Sequence, residues 1–192
     1  MYNNWEDLKK SIINCKKCKL CSNRMNIVFG TGNEKADVML IGEGPGADED
    51  KQGVPFVGKA GQLMNKAFDG LEISREKVYI ANIVKCRPPK NRDPKPEEQE
   101  MCIDWLRNQV KLISPKIIVC LGRIAAARII KSDIKITKEH GLFFEKGGIY
   151  MMAMLHPAAV LRDPRKKPDA FDDFLRLRDK IKEVCPGTYN LD

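Results

Sequence analysis

The stretch Asp37-Val-Met-Leu-Ile41, followed by Gly42-Glu-Gly-Pro-Gly46, joins a short, uninterrupted apolar run to a glycine-rich turn. An apolar run of this length without alternation is typical of a strand buried on both faces, as in a parallel sheet. Glycines directly after such a strand let backbone N–H groups approach a ligand closely. We therefore predict a ligand site at this turn, because ligands of parallel sheets bind beyond the carboxyl ends of the strands.

Elements of alternating type surround this strand. Three more apolar runs predict strands, and helical periodicity predicts five helices. The strands are expected at 78–84, 117–121 and 150–155, and the helices at 4–14, 59–71, 97–113, 123–131 and 169–184. Such alternation predicts an α/β fold of three layers, α/β/α, with a central four-stranded parallel sheet. The segments at the ligand edge, expected to be loops, are 42–58, 85–96 and 156–167.

Length and composition limit the class of protein. The 192 residues predict one domain, 1–192, and the 43% of hydrophobic residues are enough for a core. The 34 basic against 26 acidic side chains give a net charge of +8, which favours a polyanionic partner. No apolar run approaches the roughly 18–20 residues of a membrane span, and the first residues lack the apolar stretch of a signal peptide. We expect a cytoplasmic protein without membrane association.

Four of the seven cysteines are spaced as metal ligands could be. Cys15-Lys-Lys-Cys18 lets two thiolates reach one metal, Cys86 lies in a strand-end loop, and Cys102 lies in a predicted helix. Four thiolates fit either tetrahedral zinc or a [4Fe–4S] cluster, and thiols without a metal are the remaining interpretation. The run through Cys21 begins like a bacterial ferredoxin motif but lacks its fourth cysteine.

Three side chains near the predicted strand ends could bind a planar ligand. Phe56 lies in a glycine-flanked loop, where its ring can stack on a base or plug the core. Asn82 is unfavourable in a strand by propensity, so its amide should bond either backbone or the edge of a base. His156 follows the fourth strand and is either structural or catalytic. The other histidine, His140, is expected to be solvent-exposed in its turn.

Together these segments resemble the family 4 uracil-DNA glycosylases, within the wider uracil-DNA glycosylase superfamily. The matching motifs occur in order between residues 15 and 162. They are Cys15-x-x-Cys18, Gly42-Glu-Gly-Pro-Gly46, Gly53-Val-Pro-Phe-Val-Gly-Lys-Ala-Gly-Gln62, Asn82-Ile-Val-Lys-Cys-Arg-Pro-Pro89 and His156-Pro-Ala-Ala-Val-Leu-Arg162. The resemblance implies that the protein is an enzyme that removes uracil from deaminated DNA, the first step of base excision repair.

The resemblance also implies a cofactor and a set of partners. It implies a structural [4Fe–4S] cluster with Cys15, Cys18, Cys86 and Cys102 as its ligands, whereas Cys21 departs from the usual family pattern. Uracil-containing DNA would be the substrate of a monomer located with the nucleoid of a prokaryotic cytoplasm. Residues 87–96 contain no histidine of the kind that traps uracil covalently in a related group, so turnover is expected.

The alternative function is a noncatalytic iron–sulfur protein that binds DNA or carries electrons. A redox carrier has no need of a glycine-rich strand-end loop with a histidine opposite, which disfavours this alternative.

Roles for individual residues follow from the resemblance. Phe56 would stack on the extruded uracil, and Asn82 would bond its O4 and N3–H. His156, with backbone N–H groups around Gly44, would stabilise the negative charge that develops on O2.

Two carboxylates remain as alternatives for the sugar side. Either Glu43 or Glu49 would stabilise the positively charged sugar and orient water. Gly44 replaces the aspartate that activates water in the best-known superfamily members, which argues against a simple general-base mechanism. For binding DNA, Val160 or Leu161 would enter the vacated base stack, and Arg162 and Arg165 would hold phosphates.

Overall fold

The computed structural model describes residues 2–189, and a six-stranded sheet lies at its centre. The strands are β1 (Thr31–Gly32), β2 (Val38–Gly42), β3 (Tyr79–Asn82), β4 (Ile117–Leu121), β5 (Phe143–Lys146) and β6 (Ile149–Met154). Their order across the sheet is β1-β3-β2-β4-β6-β5. The four central strands β3, β2, β4 and β6 are parallel, as predicted.

The two edge strands correct the predicted four-stranded sheet. Strands β1 and β5 pair antiparallel with β3 and β6. Strand β1 has only two residues, and β5 is partly exposed along its whole length. Neither therefore carries the buried apolar run that identified the central strands, and edge strands generally lack one.

Eight α-helices within residues 2–189 surround the sheet. They are α1 (Trp5–Ile12), α2 (Ala47–Gln52), α3 (Lys59–Gly70), α4 (Pro96–Ile113), α5 (Arg123–Ile129), α6 (Ile136–Glu139), α7 (Pro157–Arg162) and α8 (Lys167–Val184). Helices α2, α6 and α7 were not predicted, and α2 and α7 lie where loops were expected. Each of these three has six residues or fewer, which is too short for helical periodicity to reveal.

Two apolar cores on opposite faces of the sheet confirm the three layers. Met39 and Ile41 of β2 pack in one core with residues of α1, α4 and α5. Val38 and Leu40, which alternate with them, pack in the other core with residues of α3 and α8. The alternation of side chains along a strand thus divides one apolar run between two helical layers.

The carboxyl ends of the parallel strands place the sequence motifs at one edge of the sheet. Gly42 at the end of β2 lies beside Asn82 at the end of β3, and Leu121 of β4 lies beside Met154 of β6. The glycine-rich turn and His156 follow directly from these strand ends. Among residues 2–189, no helix is long and apolar enough to cross a membrane.

Candidate active site

The side chains of Phe56 and Asn82 meet beside Gly42, where β2 and β3 end. A Cβ atom placed on Gly42 would lie 2.4 Å from Asn82 Oδ1 and 2.8 Å from Cε2 and Cζ of Phe56. The aromatic ring edge and the amide oxygen therefore approach the same point of the backbone. Only glycine at position 42 leaves room for both groups.

The loop that carries Phe56 holds it in an unusual backbone conformation. Phe56 has φ of 54°, in the left-handed region that non-glycine residues rarely adopt. Such a conformation costs about 1–3 kcal/mol and persists where the surrounding structure imposes it, often at functional sites. Helix α3 packs directly against this backbone, because a Cβ on Gly61 would lie 1.8 Å from the Phe56 carbonyl oxygen.

The amide of Asn82 is buried with an unused acceptor. Asn82 is 2% exposed, and its Oδ1 has no hydrogen-bond partner among the described residues. A buried acceptor without a partner costs about 1–3 kcal/mol. The oxygen is therefore available to an N–H group of a ligand, and of the two partners expected for it, backbone or base edge, the backbone is not bonded among the described residues.

His156 lies beside the Phe56 ring, with ring centroids 5.8 Å apart and the ring planes tilted by 33°. Its Nδ1 accepts a hydrogen bond of 3.1 Å from the backbone N–H of Ala158. Burial, reinforced by the charge of Arg162 and opposed by Glu49, lowers the pKa of His156 to about 4. The ring is thus neutral near pH 7, and its proton is on Nε2, because Nδ1 is an acceptor.

Glu43 lies among charged residues, two of which, Asp93 and Arg123, the sequence analysis did not select. Burial, together with the charge of Asp93, raises the pKa of Glu43 to about 7, while Arg123 and Arg162 oppose the shift. Arg123 Nη2 in turn lies 2.6 Å from Asp93 Oδ2. The signal that could have identified Arg123 is its position directly after β4, at the same sheet edge.

Glu49 is engaged by backbone donors on both of its oxygens. Oε1 accepts hydrogen bonds from Val57 and Gly58, at 3.0 and 2.8 Å, and Oε2 accepts one of 3.1 Å from Gly46. Glu49 therefore ties the glycine-rich turn to the loop of Phe56. Glu43 differs in this respect: among the described residues, no hydrogen bond to its carboxylate oxygens is found.

Gly44 is closely packed against neighbouring residues. A Cβ on Gly44 would lie 2.8 Å from Val84 Cγ2 and 3.6 Å from Pro88 Cδ. An aspartate at this position would need a shift of these neighbours, which gives a physical reason for the glycine in this chain.

The segment after His156 is helix α7, and its two candidate wedge residues differ in exposure. Val160 is 3% exposed and packs inward, whereas Leu161 is 43% exposed. Arg162 ends the helix on the surface. The Arg165 side chain is 91% exposed and lies 2.9 Å from Asp163 Oδ1. Of the two apolar residues, only Leu161 is placed to reach a partner.

The four candidate metal ligands line one pocket, together with Cys21. Cys15 and Cys18 follow α1, Cys86 follows β3, and Cys102 lies within α4. Burial raises the pKa of the Cys18, Cys86 and Cys102 thiols, that of Cys102 to about 12. Thiols with such raised pKa values become thiolates when a metal binds them.

Donors around this pocket fit a group that accepts hydrogen bonds at sulfur. Arg24 Nη1 lies 2.8 Å from the Cys15 carbonyl oxygen and 3.3 Å from Cys86 Sγ. The Lys85 backbone N–H donates to Cys102 Sγ at 3.3 Å. Trp105 lines the same pocket, and its buried Nε1–H has no partner among the described residues.

The cysteine arrangement bears on the kind of metal group. Within residues 2–189, no three histidine, cysteine or acidic side chains are grouped so as to hold a single metal ion. In an iron–sulfur cluster each thiolate binds a different iron, so four ligands around one pocket need not meet at a point.

Comparisons with known proteins identify relatives along most of the chain. The family model of the uracil DNA glycosylase superfamily matches residues 29–177. A type-4 uracil-DNA glycosylase of Archaeoglobus fulgidus is 43% identical over 94% of this chain and 92% of its own length. A type-4 uracil-DNA glycosylase of Thermotoga maritima is 42% identical over 82% of this chain and 83% of its own.

More distant relatives agree in fold. A type-5 uracil-DNA glycosylase of Pyrobaculum aerophilum is 30% identical over 81% of this chain and 83% of its own. The crystal structure of SMUG2 from Pedobacter heparinus superposes with a TM-score of 0.50 at 14% identity, covering 78% of this chain and 76% of that one. At that identity the likeness concerns the fold alone.

Proposed function

The chain belongs to the uracil-DNA glycosylase superfamily and, within it, to the type-4 enzymes, and from that membership we propose that it hydrolyses the N-glycosidic bond of uracil in DNA. The observation that carries the proposal is the buried, unpartnered Oδ1 of Asn82 beside the Phe56 ring. The alternative of a noncatalytic iron–sulfur protein is not favoured, because the relatives over most of the chain are named as glycosylases.

Recognition begins when the base leaves the stack, because its glycosidic bond is inaccessible within a duplex. Phe56 stacks on the extruded base. Asn82 Oδ1 accepts from uracil N3–H, and its amide nitrogen donates to O4. Cytosine presents an acceptor at N3 and a donor at position 4, so it meets like groups at both positions when the amide is held in this orientation, whereas an amide rotated by a half turn would match it.

His156 stabilises the leaving uracil. When the glycosidic bond breaks, its electron pair remains with uracil, and negative charge develops on O2. The Nε2–H of neutral His156 donates to O2, with backbone N–H groups around Gly44 assisting. Because the ring stays neutral in the product, the uracil leaves as an anion and takes its proton later from solvent.

Glu43 acts on the sugar side. Its ionised carboxylate stabilises the positive charge that develops on the sugar, as carboxylates do in glycoside hydrolysis. It also orients the water whose oxygen bonds to C1′, and it takes up the proton that this water loses. Glu49 serves by holding the glycine-rich turn and the Phe56 loop in place.

DNA binding uses the exposed residues of and after α7. Leu161 enters the space that the extruded base leaves, while Arg162 and Arg165 contact phosphates. Val160 supports the helix from within the core.

The enzyme leaves an intact abasic site. Strand cleavage by bifunctional glycosylases requires an amine nucleophile that forms a Schiff base. Lys85 is buried and donates from Nζ to Gln109 Oε1 at 2.6 Å, and it lines the cysteine pocket instead of the base pocket. Lys51 and Lys59 lie exposed on the surface.

Cys15, Cys18, Cys86 and Cys102 would hold a [4Fe–4S] cluster. Through these four thiolates the segment after α1, the loop after β3 and helix α4 would be joined, and the loop next to Asn82 would be fixed. The donors from Arg24 and Lys85 support this choice, because hydrogen bonds to sulfur stabilise the charge of such clusters.

The substrate places the protein with the nucleoid of a prokaryotic cytoplasm. Residues 1–192 act as one domain and as a monomer.

Release of uracil from a labelled oligonucleotide tests the proposal. Wild-type protein should release uracil and leave an alkali-labile site, with no adduct trapped by borohydride. Glu43→Ala, Asn82→Ala and His156→Ala should each lower the rate strongly. A trapped adduct would overturn the monofunctional assignment, and absence of uracil release by the cluster-loaded wild type would overturn the function.

A further inference from the structure

Asp50 is the one buried residue of α2, and the reaction described above does not use it. It is 2% exposed, and its Oδ1 accepts hydrogen bonds from the backbone N–H groups of Met25 and Asn26, at 3.0 and 3.3 Å. The Asn26 side chain adds to this contact, because its Nδ2 donates to the carbonyl oxygens of Asp50 and Lys51, at 2.8 and 3.0 Å. These hydrogen bonds join α2 to the segment that precedes β1.

Helix α2 has no apolar face that could hold it in place. Its sequence is Ala47-Asp-Glu-Asp-Lys-Gln52, without a large apolar side chain. A helix this short is unstable alone, and helices in proteins are ordinarily stabilised by the packing of an apolar face. Here a buried carboxylate takes the place of that face, and a carboxylate is tolerated inside a protein where it is hydrogen-bonded. The bonds of Asp50 are therefore what anchors this side of α2.

The segment that Asp50 contacts is itself held at both ends. Arg24 Nη1 donates to the Cys15 carbonyl oxygen at 2.8 Å. The N–H of Val28, a fully buried residue, donates to the Lys85 carbonyl oxygen at 2.8 Å. Residues 24–28 thus form a fixed support against which Asp50 holds α2.

The helix in turn holds the loop of Phe56. Glu49, which directly precedes Asp50, accepts at Oε1 from the N–H groups of Val57 and Gly58, at 3.0 and 2.8 Å. The Val57 N–H belongs to the peptide that follows Phe56, so this bond acts on the backbone whose φ is 54°. A displacement of α2 would therefore move the Phe56 ring.

We propose that Asp50 is a positioning residue for the Phe56 ring: it fixes α2 to residues 24–28, and Glu49 of α2 fixes the Phe56 loop. The inference rests on the proposed role of Phe56, which stacks on the extruded base. A ring displaced by about 1 Å would no longer hold the base in the orientation that excision requires, and displacements of that size are costly in catalysis.

The test compares three substitutions with a control on the same helix. Asp50→Ala removes the acceptor. Asp50→Asn removes the same charge but keeps an oxygen for the two N–H groups, and Asn26→Ala removes the bonds in the opposite direction without altering α2. Gln52→Ala changes an exposed residue of α2 and should change nothing. Cluster absorbance and thermal unfolding of each variant show whether it is folded.

Hydrogen exchange, measured by mass spectrometry on cluster-loaded protein without DNA, reports how firmly the loop is held. The amides of residues 56–58 should exchange roughly tenfold faster or more in Asp50→Ala, because local opening no longer has to break the bonds to a charged acceptor. In Asp50→Asn the rate should stay within about threefold of wild type, because one acceptor remains. Asn26→Ala should lie between the two. Exchange in β2 and β4 should not change in any of them.

Excision shows whether the loop position matters for the reaction. Single-turnover excision of uracil should be roughly tenfold slower or more for Asp50→Ala, and Asp50→Asn should restore it to within about threefold of wild type. Affinity for uracil-free DNA should be the same for these two variants, which carry the same charge.

Unchanged exchange at residues 56–58 or unchanged excision in Asp50→Ala would overturn the inference. So would an equal rise of exchange in β2 and β4, since that indicates support of the whole fold, or a failure of Asp50→Asn to restore excision. If Asp50→Ala does not fold, Asn26→Ala decides by the same exchange and excision measurements. Failure of the wild type to release uracil would instead refute the proposed function, and the exchange readout does not depend on it.

Discussion

Replacement of Asn82 by alanine should lower the rate of excision but leave the free energy of unfolding unchanged or raise it. In the free protein Asn82 Oδ1 is buried without a partner among the described residues, at a cost of about 1–3 kcal/mol. Alanine removes that cost but leaves a small cavity. Because the two effects oppose each other, we expect the free energy of unfolding to stay within about 1 kcal/mol of wild type, or to increase.

The rate of excision should fall by much more than the stability changes. The amide contacts the base only after extrusion, and a bidentate contact to a base edge is worth about 1–3 kcal/mol. At about 1.36 kcal/mol per factor of ten, this corresponds to roughly a 5- to 150-fold slower excision. Affinity for undamaged DNA should not change, because no base occupies the pocket in that complex.

Single-turnover excision, DNA binding and denaturant unfolding measure these three quantities on the same preparation. Gln62→Ala, at an exposed position of α3, serves as a control that should leave all three unchanged. Should Asn82→Ala instead lower stability by several kcal/mol and weaken binding to undamaged DNA, Asn82 supports the fold and the reasoning from its unpaired oxygen is wrong.

Three other predictions concern charge, DNA and the cluster. Burial raises the pKa of Glu43 to about 7, and the reaction needs its ionised form. Excision should therefore accelerate as pH rises through about 7, and Glu43→Gln should abolish this pH dependence. By linkage, the stability that protonated Glu43 contributes is complete below its ordinary pKa and is lost as pH rises towards 7, so unfolding of wild type and Glu43→Gln should diverge there. Leu161→Ala should slow excision from paired DNA more than from single strands, and equal slowing on both substrates would refute its entry into the base stack. Arg165→Ala should flatten the log–log salt dependence of binding by about 0.9. The protein should be brown, with absorbance near ~400 nm that Cys86→Ser removes and Cys120→Ser keeps, and stoichiometric zinc in a colourless preparation would refute the cluster.

The central strands could be predicted because their apolar runs are local signals. Ile117–Leu121 is a strand with the bounds that the sequence indicated. The edge strand Phe143–Lys146 could not be predicted in this way. It is a strand because it pairs with β6, and its own composition gives no such signal. Helix α7 was missed for a related reason: six residues that begin with proline read as a loop.

The candidate site was predictable in its residue types but not in its contacts. Glycine-rich turns and strand ends located Phe56, Asn82 and His156 at one edge. The bonds that distinguish Glu49 from Glu43 come from backbone groups up to nine residues away, which spacing alone does not reveal. His140, which was expected to be exposed, is half-buried instead, because the packing of α8 pairs it with Asp173, 33 positions away.

Base specificity in a single assay tests the central claim most directly. Cluster-loaded protein is incubated with duplexes that differ in one position only, carrying uracil or cytosine, and the free base is measured. The account predicts release of uracil and not of cytosine, because Asn82 Oδ1, with the amide held in its proposed orientation, needs an N3–H donor that cytosine lacks. Release of cytosine at a comparable rate, or no release of uracil, would contradict it.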